Sequence, residues 1–126
     1  GYEQVDFETL LTQSDIISVH APLNEHTEGL INSKVFEKMK SSCIFLNLGR
    51  GPIVDEQALY NALVRNQIAA AGLDVLCKEP MSADNPLLKI KDSKRLLITP
   101  HIAWASVEAR THLMEIIHGQ VKDFFA

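Results

Sequence analysis

The run Cys43-Ile44-Phe45-Leu46-Asn47-Leu48, closed by Gly49-Arg50-Gly51-Pro52, governs how the rest of the chain is read. A short stretch that is apolar but for Asn47, bounded by glycine and proline, has the length and composition of a buried strand. Just beyond it, Asp55 is placed to cap a helix whose apolar stripe is Ala58, Leu59, Ala62 and Leu63. A strand, a tight turn and a capped amphipathic helix make one unit of an alternating α/β fold.

The alternation continues in both directions. Upstream, Asp6 caps a short helix to about Gln13, with Phe7, Leu10 and Leu11 on one side. Ile16-Ile17-Ser18-Val19-His20 is a β-branched strand ended by Ala21-Pro22, and Asn32 caps a helix on which Val35, Phe36 and Met39 recur at helical spacing. Downstream, Ala69 to Val75 and Leu96 to Thr99 read as two more strands, with a helical turn near Pro86 to Lys89 between them. A long helix from about Ser106 carries Leu113, Met114, Ile117, Val121 and Phe124 on its apolar face. Strands that read apolar on both faces and alternate with helices predict a parallel sheet covered by helices. In such sheets ligands gather beyond the carboxyl ends of the strands. His20, Asn47 with Arg50, Asp74 with Glu79, and His101 all fall at or just after strand ends, so the topology delivers them to one edge.

The bulk properties exclude several functions. The chain has 126 residues, 46% hydrophobic and 22% charged, which suits one domain with a packed core. A net charge of −4 offers no electrostatic footprint for nucleic acid or an anionic membrane. The basic cluster Lys89, Lys91, Lys94 and Arg95 is interrupted by Asp92 and reads as a solvated loop. Cys43 and Cys77 lack any paired spacing, which argues against a disulfide framework and predicts a reducing, cytoplasmic setting. The polar opening Gly1-Tyr2-Glu3-Gln4 is unlike a secretory signal, and no window is apolar enough to span a bilayer. No metal is expected: His112 and His118 stand six apart, not four, and His20, His26 and His101 have no ligand spacing. No G-x-S-x-G nucleophile elbow occurs.

Three side chains are candidates for chemistry. Arg50 sits between two glycines that permit unusual backbone angles, so its planar fork can be aimed into a cleft to grip a carboxylate. The same residues also fit a plain glycine turn with a solvated arginine. His101, after Pro100 at a strand end, is a residue type that exchanges protons near neutrality; a half-buried histidine bonded to backbone is the other reading. Glu79 beside His101 would orient the ring and favour imidazolium; alone it equally fits a surface loop. Together the trio makes a carboxylate clamp, an acid/base and its orienting partner.

Four segments, in order, resemble the D-isomer-specific 2-hydroxyacid dehydrogenases. They are Val19-His20-Ala21-Pro22-Leu23 with His26-Thr27, Asn47-Leu48-Gly49-Arg50-Gly51, Gly72-Leu73-Asp74-Val75 with Glu79-Pro80, and Thr99-Pro100-His101-Ile102-Ala103. The resemblance implies the second half of a Rossmann-type, doubly wound parallel sheet of about four strands. Residues 1–126 would form a partial NAD-binding domain, and the helix over 106–126 would lead toward a substrate domain. It implies that Arg50 binds the substrate carboxylate, His101 moves the proton and Glu79 keeps His101 protonated for reduction. Asp74 would bond the nicotinamide carboxamide, near the backbone of Asn47, Leu48 and Gly49. His20, Ala21, Pro22 and Thr27 would lie toward the adenosine-ribose side, with His101 and Ala103 also at the cofactor.

NAD is the implied cofactor and a small 2-hydroxyacid or 2-ketoacid the implied substrate. The run Ile102-Ala103-Trp104-Ala105-Ser106 looks most like the glycerate dehydrogenase and hydroxypyruvate reductase branch, ahead of D-lactate and phosphoglycerate enzymes. The chain contains no G-x-G-x-x-G and lacks the acidic residue that in the family follows the domain's second strand, the features that hold pyrophosphate and ribose there. These 126 residues are therefore expected to be inactive alone. A homodimer is expected for the parent, and self-association through the open edge of the Ile16 strand for the isolated chain. An NAD-sensing, corepressor-like module of the same fold is the alternative reading.

Overall fold

The computed structural model describes residues 3–125; Gly1 and Tyr2, the start of the polar opening, and Ala126 lie outside it. Four short strands, β1 (Ile16–Val19), β2 (Ile44–Asn47), β3 (Ala70–Leu73) and β4 (Leu96–Ile98), form a single sheet in the order β1-β2-β3-β4. Every pair is parallel, with Ile17 beside Phe45, Phe45 beside Ala71 and Ala71 beside Leu96. All four carboxyl ends consequently emerge on one edge.

The helices are α1 (Phe7–Gln13), α2 (Ser33–Phe36), α3 (Glu56–Val64) and α4 (Val107–Phe124), with one-turn 3₁₀ segments at Gly51–Ile53 and Pro86–Lys89. Each starts where a polar side chain meets orphan amides. Asp6 accepts from the Thr9 amide at 2.8 Å, Asn32 from Lys34 at 3.1 Å, Asp55 from Gln57 and Ala58, and Ser106 from Ala109 at 3.1 Å. The helix after Asn32 is shorter than its apolar spacing suggests. It ends at Phe36, while Met39 enters the core from the turn that follows.

The parallel sheet with flanking helices is present, and the helices cover one of its faces. Ile17, Phe45, Ala71 and Leu73 point to one face and pack with Leu11, Phe36, Met39, Leu59, Ala62, Leu63 and Leu87. The alternate residues, Ile16, Ile44 and Leu97, are 61%, 40% and 63% exposed. The cause is topological. Successive strands added in one direction by right-handed crossovers put every connection on the same face, so α1, α2 and α3 cover only that side. The apolar stripe of α4 is likewise uncovered: none of its residues is buried, and Met114 and Phe124 are 61% and 82% exposed. Among the described residues, no helix is long and apolar enough to cross a membrane.

Arg95 departs from the solvated-loop reading. Its guanidinium lies under the end of α3, donating to the carbonyls of Leu63 (2.7 Å) and Ile68 (3.2 Å) and to Asn66 Oδ1 (2.9 Å). There it supplies the cation that a helix carboxyl end favours, while its Nε is buried without a partner.

Candidate active site

The turn after β2 is built from the inside. Asn47 is 1% exposed, and its side chain is committed to its own turn. Oδ1 accepts from the Gly49 amide at 3.1 Å and Nδ2 donates to the Arg50 carbonyl at 3.0 Å. The flanking glycines serve close approach rather than unusual torsion, since neither has a positive φ. A Cβ on Gly51 would fall 1.9 Å from the Leu76 carbonyl oxygen, and one on Gly49 would fall 3.0 Å from that of Ala21. Arg50 projects outward from this fixed turn, with Nη1 on the Gly49 carbonyl at 2.8 Å and the rest of its fork free of protein partners among the described residues.

The loop after β4 carries His101 in the left-handed region, φ 56°, which non-glycine residues occupy only when their surroundings hold them there. Asp74, 3% exposed at the end of β3, provides the hold. Its Oδ1 accepts from the Thr99 hydroxyl (2.5 Å) and the Ile102 amide (2.9 Å), and its Oδ2 from the Ala103 amide (2.9 Å). The Trp104 indole donates to the His101 carbonyl at 2.8 Å. Oδ2 accepts only the Ala103 amide among the described residues, one bond fewer than its two lone pairs allow. Burial alone would push the Asp74 carboxyl up, but the Thr99, Ala103 and Ile102 donors, with His101 nearby, outweigh it and hold the group below its ordinary range.

His101 and Glu79 meet. Nδ1 lies 2.9 Å from Glu79 Oε2, with both side chains somewhat over a third exposed. The other oxygen of Glu79 accepts from the Leu76 amide at 2.9 Å. That amide, and then the His101 ring, hold the Glu79 carboxyl below its usual value. With Nδ1 engaged by a carboxylate, Nε2 is the nitrogen left for an outside partner, the arrangement a positioned acid/base needs.

The structure does not bring all candidates into one contact. Glu79, His101 and Asp74 line a groove of about 870 Å³ with Leu87, Leu96 and Ile98. Arg50 lines a separate groove of about 500 Å³ with His20, Ala21, Pro22, Leu23, Leu48 and Gly49. His20 turns back to Ser18 Oγ at 2.8 Å, and the Thr27 hydroxyl donates to the Pro22 carbonyl at 2.7 Å, shaping the loop that walls this second groove. The second groove is lined by the exits of β1 and β2, while the first runs from the exits of β3 and β4 back along β4 to Leu96.

Residues 1–103 match the family described as D-isomer specific 2-hydroxyacid dehydrogenase, NAD binding domain. The chain belongs to this family. A hydroxypyruvate reductase of Blautia hydrogenotrophica is 47% identical over 95% of the chain and 36% of its own length. Among solved structures, an acyclic imino acid reductase in complex with NADPH and D-Arg superposes with a TM-score of 0.85 at 37% identity, over 98% of this chain and 38% of that one. A D-lactate dehydrogenase from Aquifex aeolicus, complexed with NAD and lactic acid, gives 0.80 at 30% identity, over 96% of this chain and 40% of that one. The chain thus spans little more than a third of the length of these family members.

Asp74 and Glu79 both titrate below their ordinary values when folded. Their stabilisation is complete above the ordinary carboxylate range, about pH 4, and is lost as pH falls through the lowered folded values. Asp74→Asn leaves at least one of the Ile102 and Ala103 amides facing an NH₂ group. It should cost about 1–3 kcal/mol at pH 7 and reduce the loss of stability on acidification. Urea unfolding at pH 7 and at about pH 2.5, below the ordinary carboxylate range, checks this, and curves identical to those of the unsubstituted chain would contradict it.

Proposed function

We propose that this chain supplies the acid/base pair and the carboxylate-binding arginine of an NAD-dependent enzyme that interconverts a 2-ketoacid and a D-2-hydroxyacid. The observation that carries the reading is the Glu79–His101 contact at 2.9 Å on the carboxyl edge of a parallel sheet. The groove between the His20–Leu23 loop and the Leu48–Arg50 turn suits a stretch of the dinucleotide, with Pro22 and its neighbours toward the adenosine-ribose side and the Leu48–Gly49 backbone toward the nicotinamide. Pro22, Leu23 and Leu48 give it apolar walls, and Asn47 holds its floor rigid from beneath. His20, Ala21, Pro22, Thr27, Leu48, Gly49 and Ala103 would border the cofactor, and Asp74 would use its second Oδ2 lone pair for the carboxamide. NAD, when bound, supplies or accepts the hydride.

The remaining steps belong to this chain's side chains. Arg50 grips the substrate carboxylate through its free fork. In reduction His101 donates the Nε2 proton to the ketone oxygen, which becomes the hydroxyl; in oxidation it takes that proton back. Glu79 stays ionised throughout and orients the ring through Nδ1. Hydroxypyruvate with D-glycerate is the substrate pair we favour, supported by the Ile102–Ser106 run and by the name of the 47% identical relative. An NAD-sensing module without turnover is the alternative.

The parent we read as a homodimer, and the isolated chain as self-associating. Open strand edges, the exposed sheet face with Ile16, Ile44 and Leu97, and the uncovered stripe of α4 support this. Light scattering over a wide concentration range should show a mass for the isolated chain that rises with concentration; a constant monomer mass contradicts it.

In the full-length parent, NADH oxidation by hydroxypyruvate should be rapid. His101→Ala should lower kcat/KM by about 10²–10⁴-fold, and Arg50→Ala should both raise KM and lower kcat. Unchanged turnover in either variant removes the role given to that residue. Absence of any ketoacid-dependent oxidation by the unsubstituted parent would favour the sensing module.

A further inference from the structure

Glu56 is the first residue of α3, where an acidic side chain favours a helix amino end whatever else it does. Its two oxygens, however, leave the helix. Oε1 accepts from the Cys77 amide at 2.8 Å and Oε2 from Asn85 Nδ2 at 2.8 Å, partners 21 and 29 residues away. Both belong to the loop between β3 and β4, the loop that presents Glu79. Asn85 is itself 8% exposed and uses its oxygen to accept from the Leu87 amide at 2.9 Å, so it cannot turn away without losing a bond.

The peptide joining Leu76 to Cys77 is the centre of this arrangement. Its carbonyl oxygen rests where only a glycine, Gly51, leaves room. Its amide, that of Cys77, is held by Glu56. The preceding amide, that of Leu76, is the one from which Glu79 Oε1 hangs at 2.9 Å. Cys77 is exposed, with its thiol 3.5 Å from the Val54 carbonyl; desolvation, with Glu56 close by, pushes the thiol up to about 11, which leaves it a poor nucleophile near neutrality.

We propose that Glu56 is a positioning residue for the Glu79–His101 pair. By bridging the Cys77 amide and Asn85, it fixes the peptide segment that aims Glu79 at the histidine ring. Through Gly51 the same segment leans on the turn that bears Arg50, so one carboxylate sets the relation between the two grooves. The inference rests on the acid/base reading of the pair for its functional meaning, but its geometry is testable without turnover.

The experiment is NMR on the 126-residue chain and its Glu56→Ala and Glu56→Gln variants. It follows the Glu79 side-chain carboxyl by carbon-13 titration and the Leu76 amide by hydrogen exchange, with the neighbouring charges His101 and Asp74 left intact. In Glu56→Ala the Glu79 midpoint should rise toward that of an ordinary glutamate, and Leu76 exchange should quicken about tenfold or more. Glu56→Gln keeps one acceptor but turns an NH₂ toward the other donor, so it should restore part of both effects; if the alanine variant does not fold, the glutamine variant decides alone. A folded variant that is merely less stable, with the Glu79 midpoint and Leu76 exchange unchanged, overturns the proposal. Neither readout depends on catalysis, so failure of the catalytic reading would show only in the turnover of the parent.

Discussion

A carboxylate buried at the end of a strand must find donors, because an ionised oxygen left without them costs several kcal/mol. Asp74 finds three, and all belong to the exit of the next strand: the Thr99 hydroxyl and the Ile102 and Ala103 amides. Two consecutive amides can reach one carboxylate only if the chain turns sharply before them. That turn is His101, at φ 56°. The left-handed backbone, which would be unfavourable by about 1–3 kcal/mol in isolation, is thus held by bonds that the buried charge requires in any case. His101 acquires a defined direction, and Glu79 meets its Nδ1 from the neighbouring loop.

The sheet supplies the frame on which this depends. Parallel pairing in strict sequence order sets four strand exits side by side, and the exits carry His20, Arg50, Asp74 and His101. The same order leaves one sheet face and the whole of α4 without cover. A core on one side suffices to hold the strands in register, while the exposed apolar residues of the other side are surfaces that favour association. The gathering of the strand exits and the uncovered sheet face have one cause here, the run of same-direction crossovers.

Much of this was legible in the sequence because it is local. The strand runs and the caps Asp6, Asn32 and Asp55 act within a few residues of themselves, and the Glu79–His101 pairing followed once both were assigned to adjacent strand exits. What escaped reading depends on distance along the chain. Arg95 looked solvated because the carbonyls it caps lie 27 and 32 residues earlier. Glu56 looked like an ordinary helix-start acid because its partners lie in another loop. The glycines beside Arg50 were read as torsional hinges, whereas Gly51 is needed because the Leu76 carbonyl passes over it. Periodicity marked the strands as apolar on both faces but carries no information on which face a helix will cover.

Glu79 holds Nδ1 of His101, which leaves Nε2 without a protein partner among the described residues. Long-range proton–nitrogen correlation NMR of the His101 ring, in the neutral form, tests this most directly. The expected result is the tautomer with the proton on Nδ1, shared with Glu79. A neutral ring protonated on Nε2, with Nδ1 acting as a free acceptor, would contradict it.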